Sequence, residues 1–277
     1  DLEFASGSSV NVSTTGTGAI DLDGLGTLTL SDVDTVNGAI TASSAGALTV
    51  TDVASGTNGN IVLSTSSGDI TGLAVVNAGS GNVTLNSAGA IVDDGSSGTV
   101  ITGGVLTADA AGAITIDSTV TSANISTSAA GAVDLDETDG ITLTDVDTNA
   151  GSITVDAGGL ITATDVVAAG GSGDSVTLST TTGGAVATLI TGADAVSITA
   201  NAGDITIGSV TATTGTLGVT ATAGSINDAA DDNTADFTAG GLITLTAQDE
   251  IGVLGSGSDL DLEFASGSSV NVSTTGT

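Results

Sequence analysis

Residues 28–53 read LTLSDVDTVNGAITASSAGALTVTDV, and the spacing of the apolar residues in this stretch determines the fold class. Leu28 and Leu30 alternate with threonine, and Leu48 and Val50 repeat that alternation further along the stretch. Alternation of apolar and polar residues is typical of a β-strand rather than a helix. Asn-Gly and Ser-Ser-Ala-Gly lie between the doublets and favour turns. The stretch therefore predicts short strands that recur at a fixed interval.

The same pattern recurs along the chain. Residues 141–166 read ITLTDVDTNAGSITVDAGGLITATDV and are identical to residues 28–53 at 14 of 26 positions. In both stretches an Asp-Val pair follows each of these doublets, as Asp32-Val33 follows Leu28 and Leu30, and it gives a further strand signal in each coil. Equivalent doublets recur at a nearly constant interval, and an insertion interrupts the series at residues 227–237. We therefore predict about 12 or 13 coils of about 21 residues each.

A short period with three strand signals predicts an all-β fold, a parallel β-solenoid (β-helix). One coil cannot bury its inner face alone, so coils stack and their strands pair. The absence of Pro fits strands that are paired on both edges. A string of β-sandwiches would show a period near ~100 residues and aromatic core anchors, but the chain has three Phe and no Trp or Tyr. We predict a right-handed solenoid with three strands per coil.

A longer repeat marks the two ends of the sequence. Residues 1–17, DLEFASGSSVNVSTTGT, recur unchanged as residues 261–277. We interpret residues 1–260 as one solenoid unit and residues 261–277 as the start of the next identical unit. Because the first residue is Asp1, we expect the chain to be a fragment or a processed product of a tandem array.

The composition excludes most enzyme chemistry. The chain has no Lys, Arg, His, Cys, Met or Tyr, and its 32 acidic residues give a formal net charge of −32. Without those side chains it has no activated nucleophile, no Schiff base and no zinc site. Nucleic acid is excluded as a partner because phosphate binding needs Lys or Arg. No apolar run approaches the ~18 residues of a membrane span, so we predict none.

Several phrases in the chain resemble a known family. The repeats of filamentous-haemagglutinin-type proteins, the large secreted β-helical adhesins of Gram-negative bacteria, are similar to GNIVLSTSSGDI (59–70), GNVTLNSAGAI (81–91), AAGAITIDS (110–118) and GSITVDAGGLI (151–161). The resemblance implies an exported, very long right-handed β-helical fibre used for surface attachment or as a stalk. It implies no catalytic residues. The absence of Lys and Arg departs from such adhesins and argues against direct binding of acidic glycans.

Two groups of aspartates are candidate metal sites. Asp32 and Asp52 are separated by one repeat interval, so they should lie at one corner of adjacent coils with Asp34 nearby. Like charges at ~4.8 Å repel, so either a carboxyl pKa rises or a hard cation such as Ca²⁺ lies between them. The candidate ligands of the two groups are Asp32, Asp34 and Asp52, and Asp145, Asp147 and Asp165. Solvated aspartate corners without metal are the alternative.

Other acidic motifs carry a weaker signal. Two further clusters are Asp134, Asp136, Glu137 and Asp139, and Asp259, Asp261 and Glu263 at the unit junction. The segment 170–174, GGSGD, comes nearest to the Ca²⁺-binding nonapeptide repeat, but its Asp lies one position too early. We therefore reject that motif.

Two other functions are weighed from the sequence. Paired carboxylates are the machinery of a glycosidase, but only three Phe residues are available to stack on sugars, so we predict no enzyme activity. Thr-x-Thr rows suggest a flat face that orders ice-like water; they lie at residues 49–51, 142–144, 211–213 and 244–246. These rows are not continuous from coil to coil in the sequence, and Thr is also a good strand residue.

The sequence therefore predicts the structural shaft of an extracellular filament or bacterial surface fibre, built from tandem solenoid units. The alternative is an adhesive or ligand-binding solenoid that recognises a cation-bridged polysaccharide, a mineral or ice. Expected partners are other copies of the chain, through end-to-end continuation and lateral association, and divalent cations. No cofactor is required, and Ca²⁺ is the one candidate.

Overall fold

The computed structural model confirms an all-β parallel β-solenoid with about 21 residues per turn and about 12 turns. It describes residues 1–96, 98, 100–230, 234–252 and 259–276. Within these ranges no helix is present that has the length and apolar character of a membrane span. The insertion predicted at residues 227–237 lies partly outside the described residues. The chain divides into two compact units, Asp1–Thr138 and Asp139–Thr277, called unit 1 and unit 2 below. These differ from the solenoid unit of 260 residues that the sequence repeat defines.

Unit 1 is built from short strands joined by tight corners. Its described strands are β1 (Leu2–Phe4), β2 (Ser8–Thr14), β3 (Ile20–Gly24), β4 (Leu28–Thr35), β5 (Ile40–Ser44), β6 (Leu48–Val50), β7 (Asp52–Ala54), β8 (Ile61–Thr65), β9 (Ile70–Leu73), β10 (Val75–Asn77), β11 (Val83–Ser87), β12 (Ile91–Asp93), β13 (Ile101–Ala110), β14 (Ile114–Ala130) and β15 (Val133–Glu137).

Unit 2 follows the same plan. Its described strands are β16 (Ile141–Ala150), β17 (Ile153–Ala157), β18 (Ile161–Ala163), β19 (Val166–Ala168), β20 (Val176–Thr180), β21 (Ala185–Gly192), β22 (Val196–Ala200), β23 (Ile205–Ala212), β24 (Leu217–Ala221), β25 (Ile226–Asp228), β26 (Phe237–Ala239), β27 (Ile243–Ala247), β28 (Leu262–Phe264) and β29 (Val270–Thr274).

Strands of successive coils pair in parallel and in register. In unit 1, Ile20 of β3 pairs with Ile40 of β5, Ile40 with Ile61 of β8, and Ile61 with Val83 of β11. The coil that begins at Ile40 contributes the three strands β5, β6 and β7. The apolar doublets of the sequence therefore form columns that run from coil to coil, as predicted.

The core is thin because each strand contributes only two or three inward side chains. In β5, Ile40 and Ala42 are fully buried, whereas Thr41 between them is exposed. The same alternation places Val, Ile, Leu and Ala inward throughout both units. Phe237 is the only fully buried aromatic residue among those described. Small residues suffice because the inner cavity of a coil is narrow.

Buried hydroxyl groups close many of the corners. Thr35 Oγ1 donates to the carbonyl of Gly38 at 2.6 Å, and Thr65 Oγ1 donates to the carbonyl of Gly68 at 2.8 Å. Thr148 and Thr180 make the equivalent bond three residues ahead, to Gly151 and Gly183. These inward hydroxyls satisfy carbonyl groups that face the core at a turn. From the sequence, these stretches predict turns but not the buried hydroxyl groups that close them.

Candidate functional site

The first group of predicted metal ligands lies at one corner of unit 1. Asp32 and Asp34 flank the buried Val33 in β4, and Asp52 directly precedes Val53 in β7. Val33 pairs with Val53 in parallel register, so the aspartates lie on adjacent coils. All three side chains are half-buried. The structure therefore brings these three residues together.

The charges in this group act on one another. Burial raises the pKa of Asp34, and the hydrogen bond to Asp32 and the charges of Asp32 and Asp52 raise it further. Burial and then the charge of Asp32 raise the pKa of Asp52. Asn11 Nδ2 donates to Asp32 Oδ2 at 2.9 Å, which ties this carboxylate to the coil before it. These raised pKa values are one of the two responses that stacked carboxylates predict.

The second group repeats this arrangement in unit 2. Asp145 and Asp147 flank Val146 in β16, and Asp165 directly precedes β19. Val146 pairs with Val166, and the Val146 N–H donates to the carbonyl of Asp165 at 2.9 Å. The correspondence with unit 1 follows from the sequence alignment of the two stretches.

The pKa of Asp147 is shifted further than the pKa of Asp34 or Asp52 in the first group. The Asp147 side chain is exposed, yet partial desolvation, the charges of Asp145 and Asp165, and a hydrogen bond to Asp145 raise its pKa to about 6. Oδ1 of Asp165 is buried and is the only buried side-chain oxygen or nitrogen among the described residues that lacks a hydrogen-bond partner. Asp147 therefore holds a proton well above the pH at which an ordinary aspartate is ionised.

Neither group has the geometry of a metal-binding site. Among the described residues, no three or more carboxylates converge closely enough to hold a metal ion. Each group offers three carboxylates, whereas Ca²⁺ takes six to eight oxygen ligands at ~2.4 Å. A cation here would need side-chain movement or water ligands. The calcium assignment stays a prediction.

The sequence suggests that the cluster at residues 134–139 is a surface site, but one of its carboxylates lies in the core. In β15 alternate residues face inward, so Asp134 and Asp136 are exposed while Glu137 is 4% exposed. Ser118 Oγ donates to Glu137 Oε2 at 2.6 Å, and the Val120 N–H donates to the same oxygen at 3.1 Å. Glu137 is thus a hydrogen-bonded core residue of unit 1. The strand alternation could have shown this.

The cluster at residues 259–263 lies beside a buried aspartate, Asp236, that the sequence did not indicate as part of a site. Asp259 and Glu263 are exposed, but the N–H of Asp261 donates to Asp236 Oδ2 at 2.7 Å. Asp236 is 4% exposed. Burial raises the pKa of Asp236 to about 6; the hydrogen bond from Asp261 opposes that shift, and the charge of Asp228 adds to it. In the sequence, the position of Asp236 directly before Phe237 was the only sign that Asp236 could be buried.

A row of hydroxyl groups runs along one face of unit 2. In β20, β22, β24, β27 and β29 the outward residues are in register from coil to coil, namely Ser179, Thr199, Thr220, Thr246 and Ser273. Thr246 of the Thr-x-Thr row at 244–246 therefore belongs to a continuous column that the sequence did not predict, whereas Thr244 is in register with Gly218 and Asn271. By contrast, Thr51 of the row at 49–51 lies between β6 and β7, outside both strands.

The N-terminal repeat (residues 1–17) pairs with the coil that follows it. Leu2 and Phe4 of β1 pair with Leu22 and Gly24 of β3, and Val10 of β2 pairs with β4. The partners of these three residues are all buried, so Leu2, Phe4 and Val10 occupy core positions of the coil. Leu2 is nevertheless 51% exposed, and among the described residues β1 pairs only with β3.

The C-terminal repeat (residues 261–277) pairs with the coil that precedes it. Leu262 of β28 pairs with Phe237 of β26, and Val272 of β29 pairs with Leu245 of β27. Leu262 and Val272 are 38% and 56% exposed, although both pair with buried residues. β1 joins the column of five-residue strands, whereas β28 joins a column of three-residue strands, so one sequence takes two places in the coil.

The two repeats use different backbone groups for this pairing. In the N-terminal repeat the carbonyl of Phe4 accepts from Leu25 at 2.9 Å, and the Gly7 N–H donates to Thr27 at 2.8 Å. In the C-terminal repeat the carbonyl of Asp261 and the N–H of Ala265, equivalent to residues 1 and 5, bond to β26 and the residue before it. Residues 1–7 of the segment therefore pair through different backbone groups in the two repeats, whereas residues 10–14 pair with a register shift in the N-terminal repeat and without one in the C-terminal repeat.

Comparisons of this chain with protein-family models, with curated proteins and with solved structures found no match.

Proposed function

We propose that this chain is a length of the structural shaft of an extracellular fibre, in which solenoid units of 260 residues follow one another without caps. One observation carries the proposal. The repeated 17-residue segment pairs through one edge in its N-terminal position and through the other edge in its C-terminal position. The Leu-Glu-Phe strand of the segment therefore has one edge for a preceding unit and one for a following unit.

Further observations support a mechanical role. The core consists of the same small apolar residues along both units. The exterior is a polyanion, and the chain has no Lys or Arg side chain with which to bind an acidic partner. The resemblance of the repeats to filamentous-haemagglutinin-type proteins supports a secreted bacterial fibre, at the cell surface or beyond it. The proposal includes no catalytic activity, because the chain has no imidazole, thiol, amine or guanidinium side chain to work with the carboxylates.

The test is a chain of two joined 260-residue units, examined as fibres by cryo-electron microscopy or diffraction. About 12 coils at ~4.8 Å each should give an axial repeat near ~58 Å per unit. A repeat below ~40 Å would mean that consecutive units do not continue one solenoid. A single unit that stays monomeric and binds a defined ligand would favour the alternative function.

The hydroxyl column of unit 2 favours a second candidate function, a ligand-binding face. Five neutral hydroxyl residues in register, from Ser179 to Ser273, form an uncharged row on a chain with a net charge of −32. Such a face can bind ordered water or an uncharged crystalline polysaccharide. Inhibition of ice recrystallisation and pull-down with insoluble polysaccharide test it, with Thr220→Glu as the variant that should abolish either effect.

A further inference from the structure

Asn-Gly, the dipeptide in which asparagine deamidates most readily, occurs twice in the chain, at Asn37-Gly38 and Asn58-Gly59. Glycine favours this reaction because it has no side chain to shield its backbone nitrogen, and its backbone is flexible. Both pairs lie at the same corner of adjacent coils in unit 1. The strands before them, β4 and β7, are in register, and so are the strands after them, β5 and β8. The structure therefore shows one dipeptide in two different surroundings.

The first pair is held by hydrogen bonds at both of its reacting groups. Asn37 Oδ1 accepts the N–H of Asn58 at 3.1 Å and the hydroxyl of Thr57 at 3.3 Å, so the next coil fixes the amide side chain. The N–H of Gly38 donates to Thr35 Oγ1 at 3.0 Å. Asn37 is half-buried and Gly38 is buried. These hydrogen bonds must break before the two groups can react with each other.

The second pair has neither restraint. The Asn58 side chain is exposed, and no described residue hydrogen-bonds to it or to the Gly59 N–H. The cause is the length of the corner. Ser55 occupies the position of Thr35 in the next coil, but it lies four residues before its glycine rather than three. The Ser55 hydroxyl therefore donates to the carbonyl of Gly59 and does not accept its N–H.

We propose that Asn58 is a site of spontaneous deamidation and that the fold protects Asn37 from the same reaction. The backbone nitrogen of Gly59 attacks Cγ of Asn58 and forms a C–N bond, and the side-chain nitrogen leaves as ammonia with the proton of the Gly59 amide. Water then opens the succinimide ring at one of its two carbonyl carbons. The product at position 58 is aspartate or isoaspartate. Water is the only co-reactant, and the exposed side of Asn58 admits it.

The modification would change a corner at which successive backbones touch. A Cβ atom on Gly59 would lie 2.3 Å from the carbonyl oxygen of Gly38, and one on Gly81 would lie 2.4 Å from the carbonyl oxygen of Gly59. Isoaspartate carries the main chain through its side chain, so it inserts one extra atom into the backbone at this point. We therefore expect isoaspartate to loosen this corner of unit 1, whatever the function of the chain.

The test is prolonged incubation of the full chain at neutral pH, followed by peptide mass spectrometry. Cleavage before aspartate separates the two sites, because residues 34–51 contain only Asn37, and residues 52–68 contain Asn58 and Asn60, which fragmentation distinguishes. Asn58 should convert at least about tenfold faster than Asn37, because only Asn37 must first lose its hydrogen bonds. Enzymatic methylation of isoaspartate identifies the rearranged product.

The same measurement in concentrated urea separates the effect of the fold from that of the local sequence. In the unfolded chain both pairs lack their restraints, so Asn37 and Asn58 should convert at similar rates. A preference for Asn58 that persists undiminished in urea would contradict the proposal. Equal conversion of the two sites in the folded chain, or no conversion of Asn58, would contradict it as well.

A pair of variants tests the restraint itself. Thr35→Val removes the acceptor of the Gly38 N–H and should raise the rate at Asn37 severalfold while leaving the rate at Asn58 unchanged. Thr65→Val is the matched control, because Thr65 donates in the same way to the carbonyl of Gly68, at a corner without asparagine. It should change neither rate. If Thr65→Val accelerates Asn37 as much as Thr35→Val does, general loosening of unit 1 controls the reaction and the proposed protection is wrong.

Discussion

At the scale of single residues, position in the strand decides what each carboxylate does. Glu137 and Asp136 are neighbours in β15, yet Glu137 accepts hydrogen bonds in the core and Asp136 faces outward. Asp147 is also a neighbour of a core residue, Val146, but stands close to two other carboxylates. Acidic residues in this chain therefore belong to three classes: solvated, stacked and core.

Asp147 gives a prediction about pH. Its pKa is raised from 3.8 to about 6 in the folded chain, so ionisation opposes folding. The stabilising contribution is complete below pH ~3.8, declines as the pH rises to about 6, and stays lost above that. Asp147→Asn should therefore be more stable than the wild type at pH 7. The gain should shrink towards pH 4, as measured by thermal unfolding at constant ionic strength.

Asp156→Asn is the control for this experiment. Asp156 is exposed in β17 of the same unit and lies outside the group around Asp147. The substitution removes one negative charge without relieving that group. Equal pH profiles for the two variants would show that net charge, rather than the stacked aspartates, sets the pH dependence.

At the scale of elements, register depends on the neighbouring coil as much as on the strand itself. The segment Leu-Glu-Phe is the same in β1 and β28, but it pairs with Leu22–Gly24 in one place and with Phe237–Ala239 in the other. A three-residue strand with two apolar side chains fits any column that offers inward positions of the same spacing. The corners then decide which column it enters.

Close stacking of corners predicts a position where only glycine is accepted. Gly56 has φ +74°, and a Cβ atom there would lie 1.8 Å from the backbone carbonyl oxygen of Val36 on the preceding coil. Gly56→Ala should therefore destabilise unit 1 by more than about 1 kcal/mol, through both backbone strain and the clash. Urea unfolding followed by circular dichroism measures the change.

Gly218→Ala is the comparison. Gly218 lies in β24, and a Cβ atom there would meet nothing within 4 Å. This variant should remain within about 0.5 kcal/mol of the wild type. A loss at Gly218 as large as that at Gly56 would mean that glycine content in general, rather than the stacked corner, limits stability.

At the scale of the whole molecule, charge density is the dominant property. One 260-residue unit carries 30 carboxylates, which is the 32 of the chain less Asp261 and Glu263. In the proposed fibre these charges would be spread over ~58 Å, about one charge per ~2 Å, close to the ~1.7 Å of duplex DNA. Such a fibre would gather counterions. Association between fibres should therefore strengthen as salt screens the repulsion.

The calcium proposal belongs to this scale. If Ca²⁺ bridges the stacked aspartates, it should raise the melting temperature by several degrees above that in Na⁺ at equal ionic strength, about 2–4 °C per kcal/mol. The double variant Asp145→Asn/Asp165→Asn should lose part of that rise. If a chelator leaves melting and bundling unchanged at fixed ionic strength, the stacked corners hold no specific metal.

The sequence by itself determined the coil. The alternation of Leu28 and Leu30 and its recurrence at Leu48 and Val50 predict strands, their number per coil and the parallel stacking, because these properties depend on spacing along one chain. It also placed Asp32 beside Asp52, since both positions share the phase of the repeat. Local periodicity carries this information without knowledge of any partner.

Only the tertiary structure decided how neighbouring coils use these residues. It placed Glu137 inside, paired Asp236 with Asp261, aligned the hydroxyl column of unit 2, and assigned the two identical 17-residue repeats to different columns. Each of these outcomes depends on which residue lies one coil above or below. The residue that lies there depends on the length of the corners, which differs from coil to coil. Identical segments therefore acquire different neighbours and different roles.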